Sequence, residues 1–181
     1  MEYMNYLQWL KNEGIGFHRS FLTEKLARRL AEPLKNPGTK RISVLRLVVH
    51  HSATDTGNAA CFRVLHRGVN RWNDIGYHFV IGNGSYSGDG VVEKGRAVPY
   101  QGAHAKGANE DSLGVCLVGN FNRCEPSELQ MVSLGKLLDS LLKKYSLPPG
   151  RITLHRLVKG SSTECPGRFL TLSGIMDIIG C

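Results

Sequence analysis

Two short apolar segments, at residues 44–50 and 113–119, constrain the fold of this chain more than any other feature. Both are rich in Val and Leu and lack the alternation of polar and apolar residues that a half-exposed strand shows. Runs of this kind are typical of strands buried on both faces, which occur in sheets covered by helices. They therefore predict an α/β fold in which helices cover both sides of one sheet.

Segments with strand and helix patterns alternate along the rest of the chain. Further strands are predicted at residues 75–81, 91–93, 97–98 and 152–154. Helices are predicted at residues 59–72, 127–145 and 168–179, with two shorter ones near the N-terminus, the second over 22–34. The predicted architecture is a single central mixed β-sheet flanked by helices (residues 42–181), preceded by a short, basic helical extension (residues 1–41).

The chain carries a formal net charge of +8, from 23 Lys and Arg against 15 Asp and Glu. Such an excess favours anionic partners, which include nucleic acid, a membrane surface and an anionic wall polymer, but it also fits a basic surface that only confers solubility. No apolar run approaches the roughly 20 residues that cross a bilayer. The N-terminus has no basic start followed by an apolar segment, so no secretory signal is expected.

The five cysteines are an odd number in a chain without a visible export signal, so a disulfide framework is not expected. Cys116 lies in one of the apolar segments and is interpreted as part of the core. Cys165 has polar neighbours, and Pro166-Gly167 predicts a turn directly behind it. Of the five thiols, Cys165 is therefore the candidate for chemistry.

His155 and Cys165, ten positions apart with a loop between them, indicate a metal site after the strand predicted at 152–154. Imidazole nitrogen and thiolate sulfur are preferred ligands of Zn²⁺, and a third ligand has to come from elsewhere. The best candidates are His50 and His51, of which one is expected to be a ligand because neighbouring strand residues point to opposite faces. Three ligands with an open fourth position would make a catalytic zinc centre.

Three further polar residues are candidates for a catalytic or substrate-binding role beside such a centre. Tyr77, in the strand predicted at 75–81, is either a hydrogen-bond donor to a developing oxyanion or ordinary packing. Thr163, two residues before Cys165, is either a second donor or a loop hydroxyl. His104, in a Gly-rich loop, is a substrate contact, a group that orients another residue, or an exposed imidazole.

Residues 1–41 differ from the rest of the chain because they hold eight Lys or Arg and four Glu. One interpretation is an accessory element that attracts an anionic surface. The other is a pair of helices that packs on the core of the main domain. The sequence leaves both interpretations open.

Six motifs within residues 44–172 resemble those of the zinc amidases that include small phage endolysins and the peptidoglycan recognition proteins. Each motif is weak by itself, whereas six in the family's order are specific. They lie at residues 48–54, 75–79, 92–96, 102–107, 109–121 and, as one split motif, 155–156 with 163–168. The first forty residues have no counterpart in the family pattern.

The resemblance implies an N-acetylmuramoyl-L-alanine amidase. Such an enzyme hydrolyses the amide between the lactyl group of muramic acid and L-Ala of the peptidoglycan stem peptide. The resemblance also implies one zinc ion with His50, His155 and Cys165 as its ligands.

Five more residues receive roles from the same resemblance. Tyr77 and Thr163 match catalytic positions beside the metal, and His104, Lys106 and Asn109 match substrate-binding positions. Thr163 departs from phage members, which often carry Lys there, but agrees with catalytic recognition proteins, which often carry Thr. Because Thr cannot act as a cation, more of the stabilisation of an oxyanion would fall on zinc and Tyr77.

Two other departures favour a phage-type endolysin. Animal recognition proteins usually carry a short-range disulfide soon after the first metal motif, and only Cys61 is available here. Cytosolic wall-recycling amidases usually have Asp where Cys165 stands. We therefore expect a monomeric lysin that is made in the host cytoplasm and acts on bacterial peptidoglycan. Residues 1–41 are a candidate contact to an anionic wall polymer or a membrane surface, and no nucleic-acid partner is expected.

Two other functions explain parts of the sequence. A peptidoglycan-binding module without catalysis fits the same motifs, but binding-only members usually lack the Cys ligand, which this chain has. A basic nucleic-acid binder is supported by the net charge alone, and it predicts salt-sensitive DNA binding without any need for a metal.

Overall fold

Five strands form one mixed β-sheet in the computed structural model, which describes residues 5–16, 23–40 and 43–180. The strands are β1 (Arg46–His51), β2 (Phe79–Ile81), β3 (Val92–Lys94), β4 (Ser112–Leu117) and β5 (Ile152–Leu154). Their order across the sheet is β3-β2-β4-β1-β5. All neighbours are parallel except β3, which pairs antiparallel with β2 at one edge. The predicted α/β fold with a single mixed sheet is confirmed.

Helices lie before, between and after the strands. They are α1 (Tyr6–Asn12), α2 (Glu24–Ala31), α3 (Ala59–Val64, continued by a π-helical turn at Leu65–Val69), α4 (Glu128–Tyr145) and α5 (Leu172–Ile179). Each begins behind a residue whose side chain accepts a backbone hydrogen bond of the first turn: Asn5, Thr23, Asn58, Ser127 and Thr171. Such caps satisfy N–H groups that have no partner inside the helix. Among the described residues, no helix combines the length and the apolar character that a bilayer span requires.

Two of the predicted strands differ from the structure. Of the strand predicted at 75–81, only Phe79–Ile81 takes part in the ladder. The strand predicted at 97–98 is wrong, because these residues lead into a turn with Pro99. Proline has no N–H to donate to a ladder, so a strand does not continue through this position.

Both faces of the sheet are covered. Leu47 and Val49 of β1 point to one face, which packs on α4 and α5. The opposite face packs on α1, α2 and α3 around β2, where Val80 contributes. Because strand residues alternate, Val48 and His50 point to this second face, and a loop rather than a helix covers Val48 there. The end of β1 thus lies next to a loop that can shape a site.

The described N-terminal helices are part of the core. Trp9 and Leu10 of α1 and Ala27 of α2 are at most 1% exposed and belong to the same apolar cluster as α3. The ring of Trp9 packs edge to face on Phe62, with centroids 5.9 Å apart. For the described parts of residues 5–40, the structure shows the packed arrangement rather than a free accessory element.

Three arginines of the main domain bind backbone carbonyl groups of the N-terminal segment. The pairs are Arg63 with Ala31 at 3.2 Å, Arg67 with Leu30 at 2.7 Å and Arg96 with Pro37 at 3.2 Å. Arg63 is itself buried and pairs with Asp74 at 2.9 Å. Removing either partner would leave the charge of the other buried without its counter-ion. Several contacts therefore cross the predicted domain boundary after residue 41, which remains a prediction.

Glu13, just after α1, anchors the loop that follows β1. Its carboxylate accepts hydrogen bonds from the backbone N–H groups of Asp55 and Thr56, both at 3.0 Å, and from the Thr56 hydroxyl. We expect Glu13→Ala to lower the free energy of unfolding by about 1–2 kcal/mol, because a charge-assisted set of hydrogen bonds is lost. Urea unfolding measures this, with exposed Glu110→Ala as the matched control. Equal midpoints for the two variants would show that other contacts hold the loop.

Candidate metal centre

The carboxyl ends of β1 and β5 bring two predicted ligands together. The strands are parallel neighbours, and Val49 lies opposite Leu154 in their register. His50 follows Val49 and His155 follows Leu154, so the two imidazoles lie side by side with ring centroids 4.5 Å apart. Strand pairing thus turns two residues that are distant in sequence into neighbours.

Cys165 reaches the same place on the loop that follows β5. The backbone N–H of Arg156 donates to the Cys165 carbonyl at 2.8 Å, and its guanidinium donates to the carbonyls of Gly167 and Leu170. Gly167 has a φ of 93° and lies so close to Phe121 that a Cβ would be 2.4 Å from the Phe121 carbonyl carbon. This loop therefore folds tightly back on the sheet because a glycine permits it.

The ligand atoms of His50, His155 and Cys165 all lie within 4.8 Å of one another. His50 Nδ1 is 3.6 Å from Cys165 Sγ. In a tetrahedral site with ordinary Zn–N and Zn–S bonds, neighbouring ligand atoms are about 3.3–3.7 Å apart. The His50–Cys165 distance falls in this range, and two imidazoles with one thiol are a donor set that suits zinc. No fourth His, Cys, Asp or Glu joins the group among the described residues, which therefore offer three candidate ligands.

Burial governs the protonation of these side chains. It lowers the pKa of His50 well below its ordinary value, with His155 and His51 adding to the shift, and it lowers the pKa of His155 as well. Both imidazoles are therefore neutral at pH 7, as metal ligands must be. Burial raises the pKa of Cys165 to about 12, opposed by the backbone N–H of His51 and by Arg156. A metal cation has to displace this proton, so metal affinity is expected to rise with pH.

Of the two histidines at the end of β1, His50 is the one whose side chain lies with His155 and Cys165. His51 points to the opposite side, where its ring packs on Phe121 with centroids 5.9 Å apart. Its Nδ1 accepts the Phe121 backbone N–H at 3.1 Å. The alternation of the strand thus separates the two candidates, and His51 holds the loop after β4 instead.

Tyr77 lies beside the cluster, with its ring centroid 5.3 Å from that of His50. Cys116, the residue of β4 that lies opposite His50, is a neighbour of the Tyr77 hydroxyl. Burial raises the pKa of Tyr77 well above its ordinary value, and the sulfurs of Cys116 and Cys165 add to the shift. The phenol therefore keeps its proton at neutral pH and is a hydrogen-bond donor. Its catalytic role remains a prediction.

Thr163 stands at an open cleft of about 660 Å³ next to Cys165. The other side chains that line this cleft are Asn122, Arg156, Glu164 and Arg168. The Thr163 hydroxyl oxygen accepts the Cys165 backbone N–H at 3.1 Å. Its own proton is left to point elsewhere, so Thr163 can donate towards a group in the cleft.

The three predicted substrate-binding residues share one loop but have different surroundings. His104 is buried, and its Nδ1 lies 3.0 Å from Nε2 of His50. Asn109 uses its side-chain oxygen to accept the His104 backbone N–H at 2.8 Å. Lys106 is exposed and lines a second cleft of about 520 Å³ together with Asn109. Because none of them lines the cleft at Thr163, their contacts with substrate remain predictions.

Cys116 and His66 support Tyr77, a role that their sequence neighbourhoods do not indicate. The His66 ring centroid is 5.5 Å from that of Tyr77, and His66 Nδ1 accepts the Gly76 backbone N–H at 3.0 Å. Burial lowers the pKa of His66 to about 3, so it remains a neutral acceptor. These contacts join the turn after α3 to the segment before β2, and no local motif encodes them.

A known protein family accounts for this arrangement of residues. The family described as N-acetylmuramoyl-L-alanine amidase matches residues 40–168. This range contains all the predicted ligand, catalytic and substrate-binding residues, and it leaves out nearly the whole N-terminal extension.

Similar proteins come from phages, animals and bacteria. The endolysin of Escherichia phage T7 is 39% identical over 113 residues, which are 59% of this chain and 72% of the endolysin. Peptidoglycan-recognition protein SC2 of Drosophila melanogaster is 36% identical over 129 residues, 66% of either chain, so this chain spans about two thirds of that relative. The solved structure of the N-acetylmuramoyl-L-alanine amidase LysC from Clostridium intestinale has a TM-score of 0.65 at 29% identity, covering 83% of this chain and 92% of that chain.

Proposed function

This chain belongs to the N-acetylmuramoyl-L-alanine amidase family, and from that membership we propose that it hydrolyses the amide between the lactyl group of N-acetylmuramic acid and L-alanine in bacterial peptidoglycan. The observation that carries the proposal is the convergence of His50, His155 and Cys165 within 4.8 Å. Binding a peptide or a glycan does not need two imidazoles and a thiol at one point, whereas a hydrolytic zinc site does.

One zinc ion would be held by Nδ1 of His50, an imidazole nitrogen of His155 and Sγ of Cys165. Zinc in such a setting supplies Lewis-acid chemistry, which polarises a carbonyl oxygen and makes water a usable nucleophile at neutral pH. The protein's own contribution is to keep both imidazoles neutral and to hold His50 beside His155 by the β1–β5 pairing. The hydrogen bond from the Arg156 backbone N–H to the Cys165 carbonyl brings the third side chain to them. This preorganisation removes a cost that flexible ligands would carry.

Tyr77 is proposed to donate a hydrogen bond to the carbonyl oxygen of the amide as negative charge develops on it. Its raised pKa keeps the proton in place for that purpose. Thr163 is proposed as a second donor, because its hydroxyl lines the cleft next to the ligand Cys165. Preorganised donors of this kind stabilise an oxyanion most effectively where water is excluded.

The cleft at Thr163 is proposed to receive the part of the substrate nearest to the amide. Arg156 and Arg168 give it a positive character that suits the carboxylates of a stem peptide, with Glu164 as the one acidic side chain in its lining. Lys106 lines the second cleft and would contact a different part of the polymer. We assign different parts of the substrate to Thr163 and to Lys106 because these two residues line separate clefts.

A phage-type endolysin is the setting that we propose for this activity. The T7 endolysin is 39% identical over 113 residues, which are 59% of this chain. Only Cys61 is available where animal recognition proteins usually carry a short-range disulfide, and this difference also favours a phage-type enzyme. The enzyme would be made in the host cytoplasm, act as a monomer on the cell wall and have no nucleic-acid partner. Because α1 and α2 bury their apolar sides, exposed basic residues of the segment, which include Lys25 and Arg29 of α2, would contact an anionic wall polymer or a membrane surface.

Digestion of purified cell walls tests the reaction. We expect the zinc-loaded chain to release new free amino groups on L-alanine, because the amide on its nitrogen is cut. A strong chelator should abolish the release and added zinc should restore it. Binding of the chain to insoluble peptidoglycan without any release of amino groups would instead identify a non-catalytic binding module.

A further inference from the structure

A relay of hydrogen bonds in the protein ends on one of the candidate metal ligands. We propose that His104 is a positioning residue for His50: its Nδ1 accepts the Nε2–H of His50 and keeps the Nδ1 lone pair of His50 directed at the metal. The two nitrogens are 3.0 Å apart, and the rings meet edge to face with centroids 4.9 Å apart. This inference rests on the proposed zinc site but not on the reaction carried out there.

The direction of the hydrogen bond follows from the far end of the relay. Ser112 Oγ donates its single proton to the Ala108 carbonyl, so it can only accept from His104, whose Nε2 is 3.4 Å away. His104 therefore carries its proton on Nε2, and the Nδ1 of a neutral imidazole is then an acceptor. His50 is left to donate from Nε2, so its Nδ1 has no proton. That Nδ1 is the atom 3.6 Å from Cys165 Sγ.

The neighbouring glycines make room for this arrangement. A Cβ on Gly102 would lie 2.3 Å from His104 Cδ2, and a Cβ on Gly114 would lie 2.6 Å from the same atom. Asn109 fixes the loop from its other end by accepting the His104 backbone N–H. The Gly-rich motif and the start of β4 therefore work together to hold one imidazole against His50.

The position of His104 favours orientation of a ligand over contact with substrate. Its residue is 8% exposed, and both ring nitrogens have partners inside the protein. The neighbouring His78 differs, because its Nδ1 accepts the Gly114 backbone N–H and its Nε2 donates to the Tyr100 carbonyl, both at 3.0 Å. His78 thus supports the backbone, whereas His104 acts on a metal ligand.

Two amide variants, His104→Asn and His104→Gln, test the relay. The side-chain oxygen of Asn occupies the place of Nδ1 and can accept the N–H of His50, whereas the amide of Gln reaches only the place of Nε2. Outer hydrogen-bond partners of metal-bound histidines contribute about 10–100-fold to metal affinity. We expect His104→Gln to weaken zinc binding by about that factor and His104→Asn to stay close to wild type.

Zinc affinity is measured on the full chain by competition with a chelating dye at fixed pH, beside the melting temperature of the metal-free protein. Wild-type affinity in a folded His104→Gln variant would overturn the proposal. Equal losses in both amide variants would overturn it too, because the acceptor at the Nδ1 place would then be irrelevant.

Ser112→Ala gives a second measurement if His104→Gln does not fold. It removes the acceptor that keeps the His104 proton on Nε2, so zinc binding should weaken although the imidazole is retained. Unchanged zinc affinity in Ser112→Ala would contradict the relay. Because no readout uses peptidoglycan, a chain with the expected affinities but no wall digestion would refute the amidase proposal and leave this inference standing.

Discussion

Replacement of Cys165 by serine is expected to remove stable zinc binding and to lower amidase turnover by more than about 100-fold, because a direct ligand should count for more than an outer hydrogen-bond partner does. The metal-free protein should be little affected, since serine is similar in size and the buried thiol, whose pKa is raised to about 12, carries no charge to lose. Zinc at 1,000 times its dissociation constant stabilises a folded protein by about 4.1 kcal/mol. This stabilisation should vanish in the variant.

Metal analysis after dialysis, thermal unfolding with and without zinc, and wall digestion provide three readouts of this change. Cys124→Ser is the matched control, because Cys124 is an exposed free thiol outside the ligand group. Zinc bound by Cys165→Ser at wild-type stoichiometry and affinity would remove Cys165 from the site and with it the proposed centre.

Tyr77→Phe is expected to lower turnover by about 10²–10³-fold while zinc binding stays at its wild-type level. The change removes one hydroxyl and leaves the ring, which packs between His50 and Phe62 with centroid distances of 5.3 and 6.4 Å. It therefore separates loss of a donor from loss of packing. Because burial raises the pKa of Tyr77, the wild-type donor stays protonated at neutral pH and should add no titration to the activity there.

Turnover on soluble wall fragments and bound zinc are measured in parallel for this variant. Tyr145→Phe is the control, because Tyr145 ends α4 and packs against the opposite core cluster. Near-normal turnover in Tyr77→Phe would show that the phenol is a structural neighbour of the site and not a catalytic group.

The order of strands and helices was predictable because each element carries its own local signal. Helix α4 begins behind Ser127, whose side chain forms a capping box with Gln130, and this signal is visible in the sequence. The helix predicted from residue 168 begins only at Leu172, behind the cap Thr171. The residues before it are held elsewhere, since the backbone N–H of Phe169 donates to a carbonyl in the loop after β4 at 2.9 Å, and such a competing contact is not local.

The candidate ligands were predictable as residue types but not as a group. Both His50 and His51 end the same strand, and the face that each one takes depends on which side of the sheet the loops and helices cover. His50 and His155 lie next to each other because β1 pairs with β5. The family resemblance supplied the ligand set from motif order, and the strand register supplies a physical reason for it.

The role of the basic N-terminal segment was open in the sequence because charge and amphipathic pattern fit both a free and a packed helix. Burial of Trp9 and Ala27 and the hydrogen bonds from Arg63, Arg67 and Arg96 to its carbonyl groups favour packing. These arginines lie far along the chain, so their partners are invisible to any local pattern.

The sequence by itself determined the α/β class, the succession of elements and the residue types able to bind zinc, because hydrophobic periodicity, caps and ligand chemistry act over a few neighbouring positions. Only the tertiary structure gave the physical reason why His50 rather than His51 lies with His155 and Cys165, and only it showed how Cys165 returns to them and that His104 hydrogen-bonds to His50. These outcomes depend on strand register, on glycines that allow close approach and on hydrogen-bond direction. They are properties of atoms brought together by folding and not of neighbours in the chain.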